Sequence, residues 1–106
     1  MSPELLALEK EAEALKNEGK NEEAIAKILE ALAIDENFVR AHLALAVLYY
    51  KTEDHAKSVE HAETAFKLER DDFNAAALSV TYQRAFEATK DPIYIEKAES
   101  VNTNLR

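Results

Sequence analysis

Slid along itself until Ala7 lies over Ala41, this chain sets small residues on small ones and large apolar residues on large ones. The same offset carries Ala41 onto Ala75, Ala12 onto Ala46, and Ala31 onto Ala65. Leu15 falls on Tyr49, Ile25 on Val59, Leu32 on Phe66, and Ile34 on Leu68. No other feature narrows the fold as much. One repeating unit of this size cannot bury its own apolar face, so consecutive units must stack into a continuous core. The small positions mark places where two backbones approach closely, and the large ones fill the grooves beside them.

Each period has room for two helices, and the residues supply them. The chain has one glycine and two prolines, too few for the many tight turns of a β-sandwich. Ala, Leu, Glu and Lys, all good helix formers, dominate the rest. Ser2-Pro3-Glu4 reads as a cap, a first-turn proline and an acid against the positive helix end. Leu5, Leu8, Ala12 and Leu15 then recur at helical spacing, and Gly19 is the stop. Asn21 is the next expected cap, ahead of a stripe of Ala24, Ile25, Ile28, Leu29 and Leu32 ending near Asp35. A third helix is expected at about residues 37–52, with Leu45, Leu48 and Tyr49 facing inward. Asp54 caps a fourth carrying Val59, Ala62, Ala65, Phe66 and Leu68. Asp71 or Asp72 caps a fifth, running to about Thr89 with Phe73, Ala76, Val80 and Phe86 as its apolar set. Asp91-Pro92 opens a sixth with Tyr94, Ala98, Val101 and Leu105.

Two helices in a period of about 34 residues, with these side chains at these positions, resemble the tetratricopeptide repeat (TPR) family. Ala41, Leu45, Ala46, Tyr49, Tyr50, Lys51, Asp54, Ala65, Phe66 and Leu68 carry the resemblance best, and Ala24 to Asp35 resembles a TPR second helix. The resemblance implies an all-α fold of three stacked antiparallel helix-turn-helix units, a right-handed α-solenoid. The chain would be a single domain with units at about 3–36, 37–70 and 71–106. Several positions depart from the family pattern. Leu8, His42 and Ala76 replace a large aromatic, and the turn glycine kept at Gly19 becomes Glu53 and Glu87. Glu36 and Arg70 stand where a proline is common, and Ser58 stands where Ala24 stands. In the last unit Val80 and Gln83 break the pattern, and the loop before Ala98 reads about six residues longer. That unit is degenerate and suited to capping the stack.

Family members use the concave face, lined by the first helix of each unit. Carried over position by position, that face would hold Leu6, Glu9, Glu13 and Lys16 from the first unit. The second would supply Arg40, Leu43, Val47, Tyr50 and Lys51, and the third Asn74, Ala77, Thr81 and Arg84. Leu43, Val47 and Tyr50 share one helix face that is separate from Leu45, Leu48 and Tyr49. A groove for an apolar peptide or an amphipathic helix of a partner protein follows, with Tyr50 as an aromatic anchor. Glu9 and Glu13 would flank it on one side, and Arg40, Lys51 and Arg84 on the other. Some TPR proteins clamp a carboxylate with Lys, Asn and Arg side chains. Glu9, Glu13, Ala77 and Thr81 occupy those positions here, so the clamp is missing. The alternative function is self-assembly into a homo-oligomer, through the open ends of the stack.

The remaining features exclude more than they assign. The formal net charge is −8, which disfavours nucleic acid as a partner. Residues 1–36 hold 10 acidic and 4 basic side chains, a net of −6. There is no cysteine, and no apolar run reaches the roughly 18 residues of a membrane span. A cytoplasmic, acidic scaffold without membrane association is expected. His42, His55 and His61 lack the helical spacing of a metal pair, so no metal or other cofactor is expected. Asp54-His55 has no nucleophile beside it, and one glycine cannot build a phosphate loop, so the chain does not read as an enzyme.

Overall fold

The computed structural model describes residues 2–104. Six helices follow one another, and each packs on the next: α1 (Pro3–Asn17), α2 (Asn21–Ile34), α3 (Val39–Lys51), α4 (His55–Leu68), α5 (Asp72–Thr89) and α6 (Ile93–Asn104). No strand occurs among the described residues. No helix among the described residues is long and apolar enough to cross a membrane. The fold is an all-α, TPR-like solenoid. The odd-numbered helices form one layer and the even-numbered helices the other.

The repeat is visible in individual hydrogen bonds. At the end of α1, Gly19 N–H donates to the Lys16 carbonyl at 3.0 Å and Lys20 N–H to that of Leu15 at 2.8 Å. At the end of α3, Glu53 N–H donates to Tyr50 at 3.1 Å and Asp54 N–H to Tyr49 at 2.8 Å. The two turns are the same turn, one period apart. Both need a left-handed residue, and Gly19 (φ 80°) and Glu53 (φ 65°) supply it. The tightness of the first turn corrects the expected cap of α2. Only Lys20 separates the turn from the helix, so Lys20 takes the cap position and Asn21 becomes the first helical residue. Ser2, Asp54 and Asp71 do cap α1, α4 and α5 through their side chains. Asp91 Oδ1 accepts the Ile93 N–H at 3.0 Å.

The third unit differs for a simple reason. Glu87, the counterpart of Gly19 and Glu53, lies inside α5, which continues to Thr89. Lys90 then takes the left-handed conformation (φ 63°). The extra length before Ala98 is therefore partly extra helix rather than extra loop.

The core divides at α3. Leu5, Ala12, Ala24, Ile28, Ala31, Leu45, Leu48 and Tyr49 form one cluster between α1, α2 and α3. Ala46, Val59, Ala62, Phe66, Leu78, Tyr82 and Val101 form the other, across α3 to α6. Leu45 and Leu48 are fully enclosed, and truncating either to Ala would cost about 2–5 kcal/mol. The small positions behave as their spacing implies: Ala41, Ala65 and Ala75 are all buried. Ala7 is exposed.

Three parts of the expected apolar stripes fall outside the core. Leu29 and Leu68 are exposed on the even-numbered layer. In α5 the buried face is Asn74, Ala75, Leu78, Thr81, Tyr82 and Ala85, while Phe73, Ala76 and Val80 face solvent. Contact with α4 and α6 selects the buried face of α5, and the apolar content of the helix alone points to the wrong one. Leu105 lies outside the described residues.

Candidate functional site: an apolar cleft between α3 and α5

Phe73 is 72% exposed, unusual for a phenylalanine. It is the second residue of α5, on the face that α5 leaves unpacked. Leu43 and Val47 on α3 and Ala76, Ala77 and Val80 on α5 continue that surface into a cleft of about 350 Å³. The face is almost entirely carbon, and Arg84 closes one end. Leu43, Val47, Ala77, Thr81 and Arg84, which the spacing assigned to one surface, line this single cleft.

The end near Arg84 is polar. The Arg84 guanidinium lies 4.5 Å from the centroid of the Tyr50 ring, and Tyr50 meets His55 edge-on at 5.9 Å. Lys51 and Glu87 share this neighbouring hollow. Tyr50 is thus already partnered by a cation in the free protein.

Toward the start of α3, Arg40 shares a hollow with Leu43 and Phe73 and is held by a salt bridge to α1. Arg40 donates from Nε and Nη2 to the two carboxylate oxygens of Glu9, each at 2.8 Å. Glu9 raises the Arg40 pKa through these bonds. The helical spacing sets Glu9 and Arg40 on opposite sides of a groove, but α1 and α3 bring them into direct contact. Glu13 lies one turn along from Glu9, facing Lys16 at 4.0 Å, beside a small hollow that reaches Val47. These charges are spent largely on one another.

Two expected site residues belong to the interior. Asn74 is 2% exposed and its Nδ2 donates to the Glu69 carbonyl at 2.9 Å. It ties α5 to the end of α4. Thr81 is buried, and its hydroxyl donates to the Ala77 carbonyl at 2.8 Å. Its methyl side is what remains for the cleft. In the other direction, Phe73, Ala76 and Val80 line the cleft although their spacing assigned them to the core. The register alone could not have found them, since one period earlier Ala76 and Val80 align with His42 and Ala46, which are buried.

Comparison with known proteins agrees with this architecture. A family model described as TPR repeat matches residues 12–53. No curated protein matches the sequence. Among solved structures, the chain is similar to the first TPR of Spaghetti (RPAP3) bound to the HSP90 peptide SRMEEVD. The TM-score is 0.67 at 18% identity, over 99% of this chain and 95% of that one. Residues 12–53 thus carry a TPR repeat in their sequence, and the six helices carry the TPR fold.

Proposed function

We propose that the chain is a protein-interaction scaffold that seats an apolar segment of a partner protein, such as one face of an amphipathic helix, in the α3–α5 cleft. The TPR fold supports the interaction role, and the similar structure holds a peptide. The observation that carries the reading is the exposure of Phe73 beside Leu43, Val47 and Val80. Val47 and Val80 are 38% and 44% exposed, so three large apolar residues meet water on one face. A contiguous apolar surface rimmed by charge is a binding surface far more often than a neutral one. The rigid aromatic ring of Phe73 suits an anchor, since it loses little conformational freedom when covered.

The segment would lie between two polar ends. Arg84 and Lys51 stand at one and the Glu9–Arg40 bridge at the other. Without a carboxylate clamp, the affinity would come from the apolar contact rather than from a chain terminus. The test is capture of a partner by wild-type protein and by Phe73→Asp, with Leu43→Asp and Tyr50→Ala alongside. Capture should be lost in Phe73→Asp while helicity and Tm stay near wild type. Undiminished capture by a folded Phe73→Asp would overturn the assignment.

A further inference from the structure

The even-numbered layer has its own unpaired features, away from the α3–α5 cleft. Between α4 and α6 a second cleft of about 330 Å³ has a floor of Phe66, Leu78 and Val101. Lys67, Arg70 and Lys97 stand around it. Lys97 is engaged by Glu63 at 3.4 Å, and Glu63 also accepts from the Tyr82 hydroxyl at 2.6 Å. Arg70 rests 4.9 Å over the Phe66 ring. Lys67 and Arg70 have no carboxylate partner among the described residues. The fold does not demand these charges. The positions one period earlier hold Leu29, Ala33 and Glu36 where this cleft has Glu63, Lys67 and Arg70. In a chain of net charge −8, a cation-rimmed apolar cleft is a local exception.

The complementary surface is on the same molecule. Glu22, Ala26, Leu29 and Ala33 are all exposed and follow one another at spacings of four, three and four along α2. That spacing puts them in one stripe on one helix face, the pattern by which helices pack against each other. Leu29, 44% exposed, is its one bulky knob. Ala26 and Ala33 leave room on either side for a close approach, and Glu22 stands at the stripe's end without an ion pair among the described residues.

We infer that the α2 stripe of one copy docks in the α4–α6 cleft of a second copy, with Leu29 on the Phe66, Leu78 and Val101 floor and the acids of α2 toward Lys67 and Arg70. Each copy carries both halves of the contact, so a two-fold pairing makes it twice and closes. The even-numbered layers then meet back to back. Both α3–α5 clefts remain open on the outer sides, and the dimer presents two partner sites. The charge pairs lie at the rim of the contact, so they set register and salt dependence, while the apolar floor holds the copies together.

Sedimentation velocity over a hundredfold concentration range tests this on the full chain. The mass should rise from 11.9 kDa toward twice that value, less readily at high salt. Leu29→Asp and Arg70→Glu should each weaken the dimer by about tenfold or more, with unchanged circular dichroism. Adding Glu22→Lys to Arg70→Glu should recover part of the loss. A constant monomer mass overturns the inference. So does a dimer that survives both Leu29→Asp and Arg70→Glu, or one lost in Phe73→Asp, which would place the contact in the α3–α5 cleft. Open-ended growth beyond the dimer would overturn the closed pairing.

Discussion

His42 and His61 face each other across α3 and α4 with their Nδ1 atoms 3.1 Å apart and their rings stacked at 5.3 Å. His42 Nε2 lies 2.9 Å from the Glu36 carbonyl, which can only accept, so that nitrogen carries the proton. In the neutral pair, His42 Nδ1 is then the acceptor and His61 Nδ1–H the donor. The shared contact holds one proton, and a second would set two N–H groups against each other. Tyr49 stacks on His61 at 5.7 Å, with Lys57 over the Tyr49 ring.

Burial pushes the His61 pKa below its ordinary value of 6.5, and His42 and Lys57 add to the shift, while Glu60 opposes it. A histidine held neutral in the fold stabilises the protein above its unfolded pKa. That contribution is lost as the pH falls from about 6.5 through the lowered folded value. Stability should therefore drop as the pH falls below about 6.5. His61→Phe keeps the ring stack and should flatten that part of the profile. Equal pH dependence in both proteins, followed by urea unfolding, would refute the assignment.

Glu53 carries a strained backbone where the first unit uses glycine. Its φ of 65° costs a residue with a Cβ about 1–2 kcal/mol, part of which glycine returns through its freer unfolded chain. Glu53→Gly should raise stability by about 0.5–1 kcal/mol. Gly19→Ala should lower it by a similar amount. No atom lies within 4 Å of the added Cβ, so that cost would be backbone strain alone. Denaturant midpoints of the two variants moving in opposite directions would check this.

Ser58 occupies the position of Ala24 and uses its hydroxyl. The Oγ donates to the Ala46 carbonyl at 2.6 Å in a buried contact between α4 and α3. Ser58→Ala should cost only about 1 kcal/mol, because the Ala46 carbonyl stays in the α3 ladder. Ser58→Leu would force the helices apart, and overpacking at such a crossing costs about 1–3 kcal/mol. Thermal unfolding should rank the three proteins in that order.

Asn74 separates a structural role from a binding one. Removing its amide leaves the Glu69 carbonyl, at the end of α4, without that donor. Asn74→Ala should cost about 1–2 kcal/mol of stability. Partner capture by the folded variant should match wild type. Unchanged stability with lost capture would return Asn74 to the partner surface.

The chain's local chemistry determined the number of helices, most of their boundaries and the fold. Helix starts are short-range events, so Ser2, Asp54 and Asp71 could be read as caps from their neighbours. The period could be read because packing imposes the same small residues at every crossing, as Ala31 and Ala65 show. Tertiary structure decided which of two apolar faces each helix buries. In α5 the face carrying Phe73 and Val80 is as apolar as the buried one, and only the position of α4 and α6 tells them apart. The pairs Glu9–Arg40 and His42–His61 were equally invisible, since their partners sit 31 and 19 residues apart and no local periodicity links them. Contacts of that kind depend on how one helix lies across another, to within an ångström or two. A pattern of apolar spacing fixes that a helix packs, and leaves to the assembled stack which side chains meet.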